Sequence, residues 1–260
     1  MNTTTKGIIG AVGAAAIGVG AYFGFSGGED EFSDLKNVLN KYSASINDIP
    51  DTDDTKVLNN NVAFITWSWQ KFLHLMGGPK ERPYFLTELK QVNDFAEIIN
   101  YDSLIKHNLD SNLIRDKQNL PIILDLFQQA DGVILRGKDD GLVRYSIHAN
   151  DKLINTIHSP AVQSIIDKVV PMLLDSNQVQ PIYDNKNTYP VGATEIKIAW
   201  IPTKSVFDPS KTYNVKAIVN DHKSGEKDYS KAVEEEMTMI GFHLFTVTEQ
   251  HPEGVWSTFD

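Results

Sequence analysis

Met239-Ile-Gly-Phe-His-Leu-Phe245 carries one polar side chain in seven residues, and that pattern decides the fold class. A strand with a wet face alternates polar and apolar residues, whereas a strand buried on both faces does not. The run therefore reads as the centre of a longer strand over Met237–Thr248. The pattern stays β on both sides of it. Ile196, Ile198 and Trp200 alternate with Glu195 and Lys197 across Glu195–Ile201, and further strands are expected at Tyr213–Val219 and Val255–Phe259. Upstream, Gly132–Arg136 and Leu142–His148 flank Lys138-Asp139-Asp140-Gly141, the signature of a β-hairpin. In its second arm Val143, Tyr145 and Ile147 alternate with Arg144, Ser146 and His148.

Before that hairpin the period is helical. Asn61 to Met76 places Val62, Ile65, Trp69, Phe72, Leu73 and Met76 on one stripe, broadened by Phe64, Trp67 and Leu75, and Gly77-Gly78-Pro79 stops it. A shorter amphipathic helix is expected over 32–46, and one or two more between 84 and 130, broken near Pro121. Ser159-Pro160 opens another, with Ser159 as N-cap and Pro160 in the first helical position. Residues 47–60 are turn-rich. Asp51, Asp53 and Asp54 resemble half a calcium loop but lack its glycine and distal glutamate, so they read as a solvated loop. The fold expected is α+β: N-terminal helices packed on a largely antiparallel β-sheet. It forms a single domain over 61–260, after an apolar segment at 1–28 and a helix with polar linker at 29–60.

The chain has 34 acidic and 24 basic residues, a formal charge of −10, and no cysteine. Missing thiols exclude disulfides, thiolate zinc sites, iron–sulfur clusters and covalent haem attachment within these residues. An acidic surface without a basic stripe repels phosphate backbones, so no nucleic-acid partner is expected. Gly7 to Phe25 carry no charge. At about 1.5 Å rise per residue they nearly span a hydrocarbon core of roughly 30 Å. Gly24-Phe25-Ser26 does not put small residues at both positions of a cleavage site. The segment reads as a signal anchor, with the membrane as partner and the body on the periplasmic or extracellular side. A cleaved signal peptide and a secreted body is one alternative, and a buried soluble helix is another.

The residues that carry chemistry are few. His243 lies among bulky apolar neighbours in the central strand, where a neutral imidazole needs a hydrogen-bond partner. With His251 across a turn, and Glu249 or Glu253, it forms the sparse beginnings of a metal site. The remaining histidines (74, 107, 148, 158 and 222) give no ligand spacing, and no metal or other cofactor is expected. Lys197 and Glu195 share the strand face opposite Trp200, either as a pair with shifted pKa values or as an ordinary polar sheet face. Trp200 and Trp256 are core anchors or pocket walls, Trp256 being the better wall. There is no G-x-S-x-G, P-loop or dinucleotide fingerprint placed to serve a catalytic site. The ligand-pocket candidates are thus His243, His251, Trp256, Trp200 and Lys197, with no catalytic residue among them.

Four stretches together resemble an uncharacterised family of exported bacterial proteins, some labelled cytochrome c family protein. They are Trp67-Ser-Trp-Gln-Lys-Phe-Leu73, Gly141-Leu-Val-Arg-Tyr-Ser-Ile-His-Ala-Asn150, Tyr189-Pro-Val-Gly-Ala-Thr-Glu-Ile-Lys-Ile-Ala-Trp200, and Gly241-Phe-His-Leu-Phe245 with Pro252-Glu-Gly-Val-Trp-Ser-Thr-Phe259. In relatives the last motif continues with Glu-His, and longer members reach a Cys-x-x-Cys-His haem-attachment site. Here Asp260 stands where Glu is common, and no such site is present. The resemblance implies that any haem chemistry is absent or supplied by a partner. Two functions are therefore expected. One is a non-enzymatic binding or assembly module of the envelope; the other is a redox accessory protein or enzyme working beside a c-type haem protein.

Overall fold

The computed structural model describes residues 61–79, 82–93, 96–125, 135–164, 189–220, 228–249 and 251–259. The apolar segment 7–25, the helix expected at 32–46 and the loop 47–60 lie outside them. Among the described residues no helix is long and apolar enough to cross a membrane. Seven strands among the described residues form one sheet: β1 (Lys90–Val92), β2 (Ile122–Asp125), β3 (Arg144–Ala149), β4 (Thr194–Pro202), β5 (Asn214–Asn220), β6 (Val233–Thr246) and β7 (Val255–Phe259).

Strand β3 pairs along its whole length with β4, from Arg144↔Trp200 to Ala149↔Glu195. Its other edge is shared by β2, at Asp125↔Tyr145, and by β1, from Val92↔Ile147 to Lys90↔Ala149. The long β6 is divided in the same way. One edge follows β4, and the other takes β5 opposite Val233–Thr238 and β7 opposite Phe242–Thr246. Since β2 also pairs with β5, the strands β3, β4, β6, β5 and β2 close a ring. Five strands cannot alternate direction around a closed ring, so one neighbouring pair must run parallel; that pair is β2–β5. The result is a barrel closed at one end and splayed at the other, where β1 and β7 diverge. Gln91 bridges the step from β1 to β2: its amide nitrogen donates to the Ile123 carbonyl at 2.6 Å and its oxygen accepts from the Ile123 N–H at 3.1 Å. A side-chain amide there replaces one rung of the ladder.

The helices fill and flank this barrel. Helix α1 (Asn61–Met76) and the single turn α2 (Phe85–Glu88) sit at the splayed mouth. Their Leu75 and Phe85, with Leu89, join one apolar cluster with Ile122, Leu124, Ile196, Ile198, Trp200, Phe242 and Leu244 from the inner sheet face. Helix α3 (Tyr101–Lys106) packs outside β2 and β5 through Leu104 against Ile123 and Ile218, and α4 (Asp151–Ile157) packs outside near Ala149 and Phe245 through Leu153 and Ile154.

Mixed helix and sheet is what the sequence implied, but among the described residues the sheet dominates and the helices do not form one packed layer. Residues 84–125 hold two short helices and also the strands β1 and β2, which were not expected. Of the hairpin expected over 132–148, the described residues hold the bridge Arg136↔Leu142 with a 3-10 turn between and the second arm as β3, paired with β1, β2 and β4; residues 132–134 lie outside them. The Ser159 cap is present: its hydroxyl accepts from the Val162 N–H at 3.3 Å, although the helix beyond 164 lies outside the described residues. Helix α1 has its expected bounds, and Phe72 and Met76 of its expected stripe pack on the core. Among its described side chains the fully enclosed ones are Trp67, Ser68 and Leu75, and the Ser68 hydroxyl meets that of Ser257 at 2.8 Å. Trp69 is half-buried, edge-on to Phe259 at 5.0 Å. Trp69→Ala is therefore expected to cost about 2 kcal/mol in a denaturant titration, below the full value for a buried tryptophan.

Candidate functional site

Directly paired residues of neighbouring strands share a face, so register decides which side chains meet. Lys197 of β4 is opposite Ile147 of β3 on one side and His243 of β6 on the other, and His243 is in turn opposite Thr258 of β7. Glu195, Phe245 and Trp256 form the next row. These residues line the outer face of the barrel. The Lys197 ammonium lies 4.7 Å from the centre of the Tyr145 ring, a cation–π contact that also fixes the long side chain. His243 is half-buried rather than enclosed, with Nδ1 3.0 Å from the Thr258 hydroxyl. Trp256 is 37% exposed and its ring centre is 5.0 Å from that of Phe245.

Glu195 is the electrostatic centre of this face. Burial pushes its carboxyl up to about 7, and the positive charge of Lys197 offsets only part of that. The Tyr189 phenol is pushed up as well, by burial and then by the negative charge of Glu195. A carboxyl titrating near neutrality, with an ammonium two residues along its strand and an exposed indole two strands away, can exchange a proton or meet a polar ligand while Trp256 supplies contact area.

Two of the five predicted residues fall elsewhere. Trp200 is fully buried on the inner face, its indole N–H donating to the Ser146 hydroxyl at 2.9 Å, so it walls no outer pocket. His251 belongs to the β6–β7 turn. Its Nδ1 is 2.8 Å from the Glu253 carboxylate, its N–H donates to the Thr248 hydroxyl at 3.2 Å, and its carbonyl accepts from Gly254 at 2.8 Å. Gly254 itself has φ +83°, and a Cβ there would run into the Phe245 ring, so the turn needs glycine. From His243 to the end of β6 is three residues, about 10 Å of strand. The two histidines therefore do not meet. Among the described residues no three His, Cys, Asp or Glu are grouped to hold a metal ion.

No family model, curated protein or solved structure matches this chain. Its chemistry must be read from its own residues, and three of them were missed in the sequence. Arg144, Ser146 and His148 face the barrel interior, at 4%, 0% and 1% exposure. Arg144 donates to the Asn220 carbonyl at 3.3 Å, and His148 Nε2 lies 3.1 Å from the Ser146 hydroxyl. Alternation in β3 showed which residues share a face but not which face is enclosed.

Proposed function

We propose that this chain is a non-enzymatic binding or assembly module, held at the outer side of a cell membrane by residues 7–25 and using the outer face of β4, β6 and β7. The observation that carries this reading is the grouping of Lys197, His243, Glu195 and Trp256 on one rigid ladder. Such a surface suits recognition: Trp256, backed by the buried Phe245, offers exposed aromatic area, Lys197 and Glu195 offer ionisable groups, and register fixes their spacing. The uncharged run at 7–25 supports the membrane attachment, with residues 29–60 as the tether. The same face supports a second reading, a redox accessory docking beside a c-type haem protein, because exposed Trp256 lies in one of the stretches that resemble the cytochrome-labelled family.

Cell fractionation tests the attachment. Full-length protein is expected with the membranes, and protein lacking residues 1–28 in the soluble fraction; full-length protein that is soluble and keeps Met1 overturns it. The non-metal, non-haem character is tested on purified protein incubated with zinc, iron, copper or haem and then dialysed. Retention well below one equivalent is expected. One equivalent retained, and lost on His243→Ala, replaces the binding-module reading with a metal- or haem-dependent one.

A further inference from the structure

The inner face at the mouth of the barrel carries a titratable group that recognition at the outer face leaves unused. His148 is enclosed there, with Nε2 on the Ser146 hydroxyl that also accepts from Trp200. Its Nδ1 is buried and has no hydrogen-bond partner among the described residues. Gln91 of β1 and Ile196 of β4 flank it, and the Gln91 amide is already committed to Ile123. Arg144, four residues back on the same face of β3, is cationic; no described carboxylate pairs with the ring. The lid over His148 is Phe85 of α2, fully buried and edge-on at 5.2 Å.

Phe85 does not move alone. His74 of α1 and Glu88 of α2 are joined at 2.8 Å, and the Tyr84 N–H donates to the Gly77 carbonyl at 2.9 Å, so α1 and α2 form one unit. That unit adds no strand to the ladder. It meets the barrel through side chains: Phe72, Leu75, Met76, Phe85 and Leu86 on the apolar cluster, and Ser68 on Ser257. Elements held in this way open at lower free energy than strands paired on both edges.

We propose that α1 and α2 form an acid-released plug: protonation of His148 lifts Phe85 and its helices from the mouth of the barrel while the closed ring of strands stays folded. The release bares the inner apolar face around Phe242, Leu244 and Phe259. Burial holds the ring down at about 3, against an ordinary value of 6.5 once water reaches it. The open form thus takes a proton that the closed form refuses, and acid favours opening by about tenfold per pH unit within that window. His74 and Glu88 face each other across the two helices of the plug and not His148, and Glu195 lies on the opposite face of the sheet.

Amide hydrogen exchange on the full chain tests this, expressed as protection factors to remove the intrinsic effect of pH. From pH 7 to pH 5, protection in α1 and α2 is expected to fall about 25-fold, from one-site linkage, while β4 and β6 keep theirs. His148→Gln should abolish the fall. Parallel loss in plug and strands, no loss in either, or an unchanged fall in His148→Gln overturns the proposal. If that variant does not fold, NMR titration of the wild-type His148 ring decides: its protonation must track the opening of α1 and α2, and protonation with the plug closed overturns it equally.

Discussion

Replacing Trp200 with alanine is expected to cost on the order of 5 kcal/mol, measured as the shift in denaturant midpoint, and to leave a chain of marginal stability. The residue is fully buried, touches the central apolar cluster and lies across the β3–β4 rung from Arg144. Its removal leaves a cavity at the closed end of the barrel, where the ladder limits how far the walls can collapse. Trp200→Phe separates the two contributions. It keeps an aromatic ring but removes the donor to Ser146, and should cost about 2 kcal/mol. A cost below about 1 kcal/mol for Trp200→Ala would mean that the indole is not enclosed as described.

The second large effect concerns pH, where the buried His148 and the half-buried Glu195 act with opposite sign. His148 is held below its ordinary value, so between pH 3 and 6.5 the unfolded chain carries a proton that the folded chain lacks, and stability rises with pH. Glu195 is held above its ordinary value of 4.5, up to about 7, so between those limits the folded chain carries the extra proton and stability falls with pH. From pH 4.5 to 6.5 the two slopes, each about 1.4 kcal/mol per pH unit, oppose and largely cancel. Global stability of the wild type should be nearly flat there. Glu195→Gln should expose the rising slope and be the more stable protein at pH 8 by about 2–3 kcal/mol, with no such gain at pH 4. His148→Gln should expose the falling slope. Identical pH profiles for the wild type and both variants would contradict the withdrawal of these groups from water.

Much of this was legible in the sequence where strands are long. Strand β6 is apolar on both faces over Met239–Phe245 and β4 alternates from Glu195 to Ile198, so their existence and the separation of Lys197 from Trp200 follow from pattern alone. Strands β1 and β2 were not legible. Lys90-Gln-Val92 is too short to show a period, and Ile122-Ile-Leu after Pro121 is a brief apolar run that fits a helix as well as a strand. Without them ring closure is invisible, and with it the reason why Arg144, Ser146 and His148 point inward. The outer site was half legible. Lys197 and His243 each stand out in their own strand, but their adjacency depends on a register that includes a bulge in β6 between Met239 and Gly241. The separation of His243 and His251 likewise depends on where β6 ends and its turn begins.

Recognition through the outer face of β4, β6 and β7 is the central claim, and site-specific photo-crosslinking in the intact envelope tests it most directly. A photoreactive residue replaces Thr258, which is exposed on that face, or Lys216, which is exposed on β5. The account predicts one discrete adduct from position 258, none from 216, and loss of the adduct when Lys197→Glu is added. No adduct from position 258, or the same adduct from both positions regardless of Lys197, would contradict it.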